Sequence, residues 1–462
     1  MQKTMEMSRK LSFIPDDDSD EIVKRYEAFL SRNNVSGYFD VEELESIVDY
    51  YLRKGRTRES SGALDFGFKL HPNSTVLMTK RAKIYLAVGE TKKAFRILES
   101  QGETSDYEVN LLKIDALVRL ERDKEAQLLC DKLIISESED KDNVCLDIAY
   151  IFLSQFDPHS AFKYLKIGEE FNDKNEDLLF ELAFCYEQKS DNDNAISTYN
   201  KITRMDPYAA EAWFNLGQIY FTRQDFQAAL IAYGYAQTIR PEDSLTCLQK
   251  GHTHFQLQQY NEALEDYFSY EKMAAENWQT YLFIGECYER MEIFPMSIEF
   301  YKKSLAENED NFEALTGIAI CLLEQELFND SITYIRRALE INENAADAWV
   351  YLAEALTGTD EIHEALLAYL KSIELDPNQP DTLMAIANIC MEQGEFSLAL
   401  QYYLEADLLD DDHELENINL FMAVAYFKVG EMEASEEMLK KAVAENLDAQ
   451  NLFNELCPEA NE

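Results

Sequence analysis

One position constrains the fold of this 462-residue chain more than any other. When the chain is divided into segments starting at Val41, Thr75, Tyr107, Asp142, Glu176, Ala210, Ser244, Trp278, Phe312, Ala346, Pro380 and Glu416, every interval from Asp142 to Pro380 is 34 residues. The twentieth place then reads Ser60, Ala94, Ala126, Ala161, Ala195, Ala229, Ala263, Ser297, Ser331, Ala365, Ala399 and Ser435, never a large residue. A place that admits only small side chains marks two helices in closest approach, where a larger residue would cost about 1 to 3 kcal/mol by overpacking. The eighth place follows the same rule less strictly, with Ala82, Ala149, Ala183, Gly217, Gly251 and Gly285 but also Val48 and Ile114. Large apolar residues flank both places at three- and four-residue steps, which predicts two amphipathic helices per segment.

The segment AEAWFNLGQIYFTRQDFQAALIAYGYAQTIRPED, from Ala210 to Asp243, carries Trp213, Leu216, Gly217 and Tyr220, then Ala229, Tyr233 and Pro241. This spacing resembles the tetratricopeptide repeat, a helix-turn-helix unit. The resemblance implies an all-α, right-handed superhelical solenoid of about 12 stacked units, each burying its apolar face against its neighbours. We read 1–19 as a mobile N-terminal tail and 20–40 as a capping helix and turn. Units one to three cover 41–141, units four to eleven 142–415 and unit twelve 416–449, with a C-terminal cap and acidic tail at 450–462. Asp410 to His413 should form a longer loop.

Forty-two basic and 88 acidic residues give a net charge of −46. That disfavours an overall attraction to phosphate backbones or anionic membranes. No apolar run is long enough for a membrane span or signal peptide. Eight cysteines without CxxC pairs read as small core residues in a reducing, cytoplasmic setting. No phosphate-binding, metal or nucleophile motif is present, so no catalytic residue, metal or cofactor is expected. His252 and His254, two residues apart, project from different sides of a helix, and Cys247 and His254 fall in the columns held by Trp213 and Tyr220 one repeat earlier, so core packing rather than a metal site is the expectation for them.

In proteins similar to this one, places two, five, nine and twelve of the first helix line a concave groove. Carried over, the resemblance implies a wall that includes Leu146, Tyr150, Leu153, Phe180, Phe184, Phe214, Phe221, Leu248, His252, Phe255 and Leu282, with Asp177, Glu187, Glu211, Glu286 and Glu289 interspersed. Some relatives capture an acidic chaperone C-terminus through Lys at place five and Asn at place nine, and that clamp is absent from these repeats. The expected partner is therefore a protein or peptide segment, apolar with neutral or basic character, and the expected role a non-catalytic interaction scaffold.

A second reading rests on repeats one and two. Between Arg53 and Arg96, eleven basic residues face three acidic ones, a local charge of 11 minus 3, or +8. Arg53, Lys54, Arg56, Arg58, Lys80 and Lys83 could serve an acidic macromolecule or, less favourably, nucleic acid. The alternative is a solvated face, or a patch neutralised by the chain's own acidic segments such as Asp16 to Glu21.

Overall fold

The computed structural model describes residues 16–31, 37–137, 139–274, 277–410 and 415–461. The described residues are helical with short connections and contain no strand. They form two compact units, residues 1–223 and 224–462.

The first unit opens with a helix at Asp16–Ser31, followed by paired helices. The pairs are Val41–Arg53 with Thr57–Leu70, Thr75–Ala87 with Thr91–Ser100, Tyr107–Arg119 with Asp123–Ser136, Lys141–Ser154 with Pro158–Phe171, and Glu176–Gln188 with Asn192–Met205. Helix Ala210–Thr222 closes the unit. The opening helix begins at Asp16 rather than at Asp20, so its first four residues fall within the expected tail. The rest of the expected tail, the turn at 32–36 and part of the loop after Asp410 lie outside the described residues. Val23 and Tyr26 are buried against Phe39, Leu44 and Tyr51, so this helix covers the apolar end of the first pair. The hydroxyl of Tyr51 donates to Glu27 Oε1 at 3.0 Å.

The second unit runs from Phe226–Ile239 through six pairs: Ser244–Gln256 with Tyr260–Met273, Trp278–Arg290 with Phe294–Glu307, Phe312–Leu323 with Phe328–Ile341, Ala346–Gly358 with Ile362–Leu375, Pro380–Glu392 with Phe396–Leu409, and Ile418–Val429 with Met432–Glu445. Helix Ala449–Leu456 ends it, with Phe453 edge-on to Phe427 at 5.8 Å. In both units each helix packs chiefly on the helices next to it in sequence, the arrangement of an all-α repeat solenoid.

The twentieth-place residues are all buried. Where serine stands there, its hydroxyl donates to the eighth-place carbonyl of the facing helix: Ser297 to Gly285 at 2.9 Å, Ser331 to Ala319 at 2.9 Å and Ser435 to Ala423 at 2.8 Å. That bond explains why serine alternates with alanine in this column, since a buried hydroxyl must find an acceptor. The eighth-place glycines make room for a tyrosine. A Cβ on Gly251 would stand 2.6 Å from the Tyr267 ring, and one on Gly285 2.6 Å from the Tyr301 ring.

The turn between paired helices falls at the fifteenth place, and its residue is left-handed throughout. Glycine occupies it at Gly55, Gly89, Gly394 and Gly430, but Glu121, Phe156, Ser190, Gln224, Gln258, Glu292, Glu326 and Asp360 hold φ between 56° and 64°. The next N–H bonds five residues back, as in Gln259 to His254 at 2.9 Å and Ile293 to Tyr288 at 2.8 Å. This is the Schellman closure, which satisfies carbonyls that the helix end leaves open.

Candidate functional site

In the first unit, the first helices Lys141–Ser154, Glu176–Gln188 and Ala210–Thr222 carry the aromatic stripe expected from sequence. Phe184 is 41% exposed, while Tyr150, Phe180, Phe214 and Phe221 are half-buried and Leu146 is buried. Phe180 meets the Tyr199 ring edge-on at 6.0 Å, so part of its surface serves packing. The Tyr199 hydroxyl donates to Glu187 Oε1 at 2.6 Å and accepts from Asn215 Nδ2 at 3.1 Å. Asp177 and Glu211 are exposed beside the stripe.

The second unit treats its share of the stripe differently. Leu282 is 7% exposed and joins the core with Tyr301 and Ile318, so it is not available as groove wall. His252 lies edge-on to Phe283 at 4.6 Å, with its Nδ1 hydrogen-bonded to the Tyr267 hydroxyl at 2.8 Å. Burial lowers its pKa, which keeps the ring neutral. Leu248 and Phe255 pack on the same core, Phe255 against Tyr260 at 5.5 Å. His254 hydrogen-bonds Gln259 and approaches Asp266, while Cys247 accepts from Gln237, so these side chains turn to different partners. Four groove positions of the second unit are thus wholly or partly committed to packing.

A column that sequence reasoning passed over explains this. Tyrosine stands at the twenty-fourth place at Tyr199, Tyr233, Tyr267, Tyr301, Tyr369 and Tyr403, and Tyr199, Tyr267, Tyr301 and Tyr403 reach groove places of the paired first helix with their hydroxyls. Tyr301 donates to Glu289 at 2.6 Å and Tyr403 to Asn388 at 2.6 Å. The 34-residue recurrence of tyrosine was the available signal, because a buried phenol needs a polar partner.

Acidic side chains of the second unit gather at the first-helix places. Glu286 and Glu289 are half-buried and Glu313 is exposed. Burial, with repulsion from Glu289 and Glu313 against attraction to Arg290, pushes the Glu286 carboxyl up to about 7. Glu289 is also raised, chiefly by burial, although the Tyr301 hydroxyl works the other way. Among the described residues no ion pair forms to Glu286, Glu289 or Glu313.

The basic N-terminal region is largely engaged internally. Lys80 is 3% exposed, not a surface cation as expected, and its ammonium meets Glu45 at 2.9 Å, Asp49 at 2.9 Å and Glu108 at 3.7 Å. Burial disfavours its charge, but Asp49 and Glu108 outweigh that and hold its pKa above the usual lysine range. Lys83 pairs with Glu108 at 3.2 Å, and Arg56 with Glu59 at 2.9 Å and Glu27 at 3.5 Å while lying over the Tyr51 ring. Lys54 stands 5.9 Å from the Tyr50 ring centroid, Arg53 is half-buried with a partner of its own, and Arg58 is exposed. The acids that meet them include Glu27, Glu45, Asp49, Glu59 and Glu108.

All eight cysteines are buried free thiols. Burial pushes Cys130, Cys145, Cys185 and Cys287 up to about 12, which makes them poor nucleophiles. Among the described residues, no helix is long and apolar enough to cross a membrane.

Family models described as tetratricopeptide repeat match residues 185–244, 316–380 and 380–413. No protein of curated function matches the chain. Among solved structures, YrrB, described as a TPR protein with an unusual peptide-binding site, is 17% identical over 40% of this chain and 96% of its own, with a TM-score of 0.35. The APC/C hetero-tetramer Cut9-Hcn1 is 13% identical over 96% of this chain and 99% of its own, with a TM-score of 0.40. A tetratricopeptide repeat protein from Parabacteroides merdae is 17% identical over 54% and 98%, with a TM-score of 0.44.

Proposed function

The chain is a tetratricopeptide-repeat protein, and from that premise we propose that it is a non-catalytic interaction scaffold whose first unit binds an apolar segment of a partner protein on its first-helix face. Repeats of this kind generally mediate protein–protein interaction. The observation that carries the reading is Phe184, a large aromatic left 41% exposed on a helix whose neighbours present half-buried Tyr150, Phe214 and Phe221. An aromatic strip bordered by Asp177 and Glu211 suits an apolar segment without acidic residues. The second reading, an acidic macromolecule on the basic repeats, is not favoured, because Lys80, Lys83 and Arg56 already have carboxylate partners.

Peptides selected from a random library on the intact chain test the proposal. Burying one phenylalanine is worth about 1.5 to 3 kcal/mol, so Phe184→Ala should weaken such peptides by about tenfold or more. Leu128→Ala, on the exposed face of a second helix, should leave them unchanged. A selection that yields only peptides indifferent to Phe184 would sink the proposal.

A further inference from the structure

Several of the chain's buried or half-buried acids face a cation of the chain. Asp266 faces Lys250 at 3.1 Å and His254 at 3.6 Å, Asp115 faces Arg119 at 2.6 Å, and Glu45, Asp49 and Glu108 surround Lys80. Half-buried Glu286 and Glu289 and exposed Glu313 have no such ion pair among the described residues. They sit on successive first helices of the second unit, close enough for Glu286 to be repelled by both others, and their nearest influential cation, Arg290, forms no ion pair with them. The helix that bears Glu313 continues the face with half-buried Ile320 and Leu323 at its ninth and twelfth places and the next first helix with half-buried Val350 at its fifth, Leu323 and Val350 giving part of their surface to the core.

Such a face selects its occupant. An apolar segment without charge would strip the remaining water from carboxylates that have no counter-ion, and burying an unpaired charge is strongly unfavourable. An acidic segment or a phosphate backbone would be repelled. A segment that brings its own cation gains on both counts, since its apolar side chains cover the leucine, isoleucine and valine and its charge meets the acids.

We propose that the first-helix face of the second unit between Trp278 and Gly358 binds a lysine- or arginine-bearing amphipathic segment of a partner protein, its cation seated among Glu286, Glu289 and Glu313 and its apolar side chains on Ile320, Leu323 and Val350. The site shares the premise of an interaction scaffold but none of the residues assigned to the first unit. Glu289 is further held in place by the Tyr301 hydroxyl, so one carboxylate of the set is oriented before a ligand arrives.

The test uses the full chain and an amphipathic helical peptide of leucine and lysine, with a leucine and glutamine peptide of the same pattern as its neutral counterpart. Binding is followed by fluorescence anisotropy at pH 8 in about 0.15 M salt. The Leu-Lys peptide should bind the Glu286→Gln/Glu313→Gln double variant at least about tenfold more weakly than the parent. A variant of equal charge change on exposed positions, Glu436→Gln/Glu437→Gln, should bind within about twofold, because distant surface charges are screened. Equal weakening by both variants would mean diffuse attraction to an acidic protein and would overturn the assignment, as would no weakening by either. Should the double variant fail to fold by circular dichroism, Glu313→Gln alone, at an exposed position, must still weaken the Leu-Lys peptide severalfold while leaving the Leu-Gln peptide unaffected. The loss of Leu-Lys binding caused by the Glu286→Gln/Glu313→Gln pair should be the same in a Phe184→Ala background, so the two readings fail separately.

Discussion

Replacing Glu286 with glutamine should stabilise the protein above neutral pH and have little effect in acid. The carboxyl is pushed up to about 7 in the folded chain, against an ordinary value of 4.5. The folded state therefore holds the proton more tightly than the unfolded state. The sign follows from linkage: the stabilisation by the protonated form is complete below about pH 4.5, shrinks as pH rises, and is gone above about pH 7. About 2.5 pKa units at 1.36 kcal/mol per unit is about 3 kcal/mol, and residual solvent access brings the expected gain to about 2 to 3 kcal/mol. Glutamine mimics the protonated side chain in shape and neutrality, so it removes the charged state without opening a cavity. Urea denaturation of parent and variant at pH 4 and pH 8, with the carboxyl titration followed by NMR, reads both terms. A glutamine variant less stable than the parent at pH 8, or a Glu286 carboxyl that titrates below 5, would refute the reasoning.

Two further substitutions probe the packing. Gly317→Ala places a Cβ about 2.5 Å from the Tyr301 ring, which is also confined by Gly285, and should destabilise the second unit by about 1 to 3 kcal/mol in thermal or urea unfolding. An unchanged transition would mean that the tyrosine ring is not confined. Lys80→Ala leaves Glu45, Asp49 and Glu108 facing one another without their cation and should cost about 3 kcal/mol, less than a fully enclosed pair because these acids retain some solvent. The loss should diminish as pH falls through the carboxylate range; a pH-independent loss would point to packing alone.

Much of the fold was legible because the repeat is written in side-chain size. Ala229 and its equivalents could be read as closest-approach positions from one sequence, and every one of them is buried. The left-handed turn escaped notice because Gln258, Glu292 and Glu326 are not the residues that usually announce positive φ, and the cost of about 1 kcal/mol is absorbed by the closure around them. The site was harder to read for a different reason. A first-helix stripe marks which residues can face the groove, but Leu282 and Lys80 are claimed by side chains from adjoining repeats, and that contact depends on how far neighbouring helices are splayed. His252 was lost to the groove through Tyr267, a residue on the other helix of its own pair. Helical periodicity describes one helix at a time and is silent on such claims.

The corner between paired helices is closed by main-chain bonds, so the side chain at its tip has no structural duty; at Phe156 it is 94% exposed. The fifteenth places therefore form a recurring set of addresses along the chain, one per hairpin, whose side chain can vary among residues that accept a left-handed backbone. Cysteine installed at Gln258, Glu292 or Glu326 would carry a fluorophore into a defined corner while the eight native thiols, all buried, stay unlabelled. Paired dyes at such addresses would turn the spacing of individual repeats into a distance that can be followed while a partner segment is added.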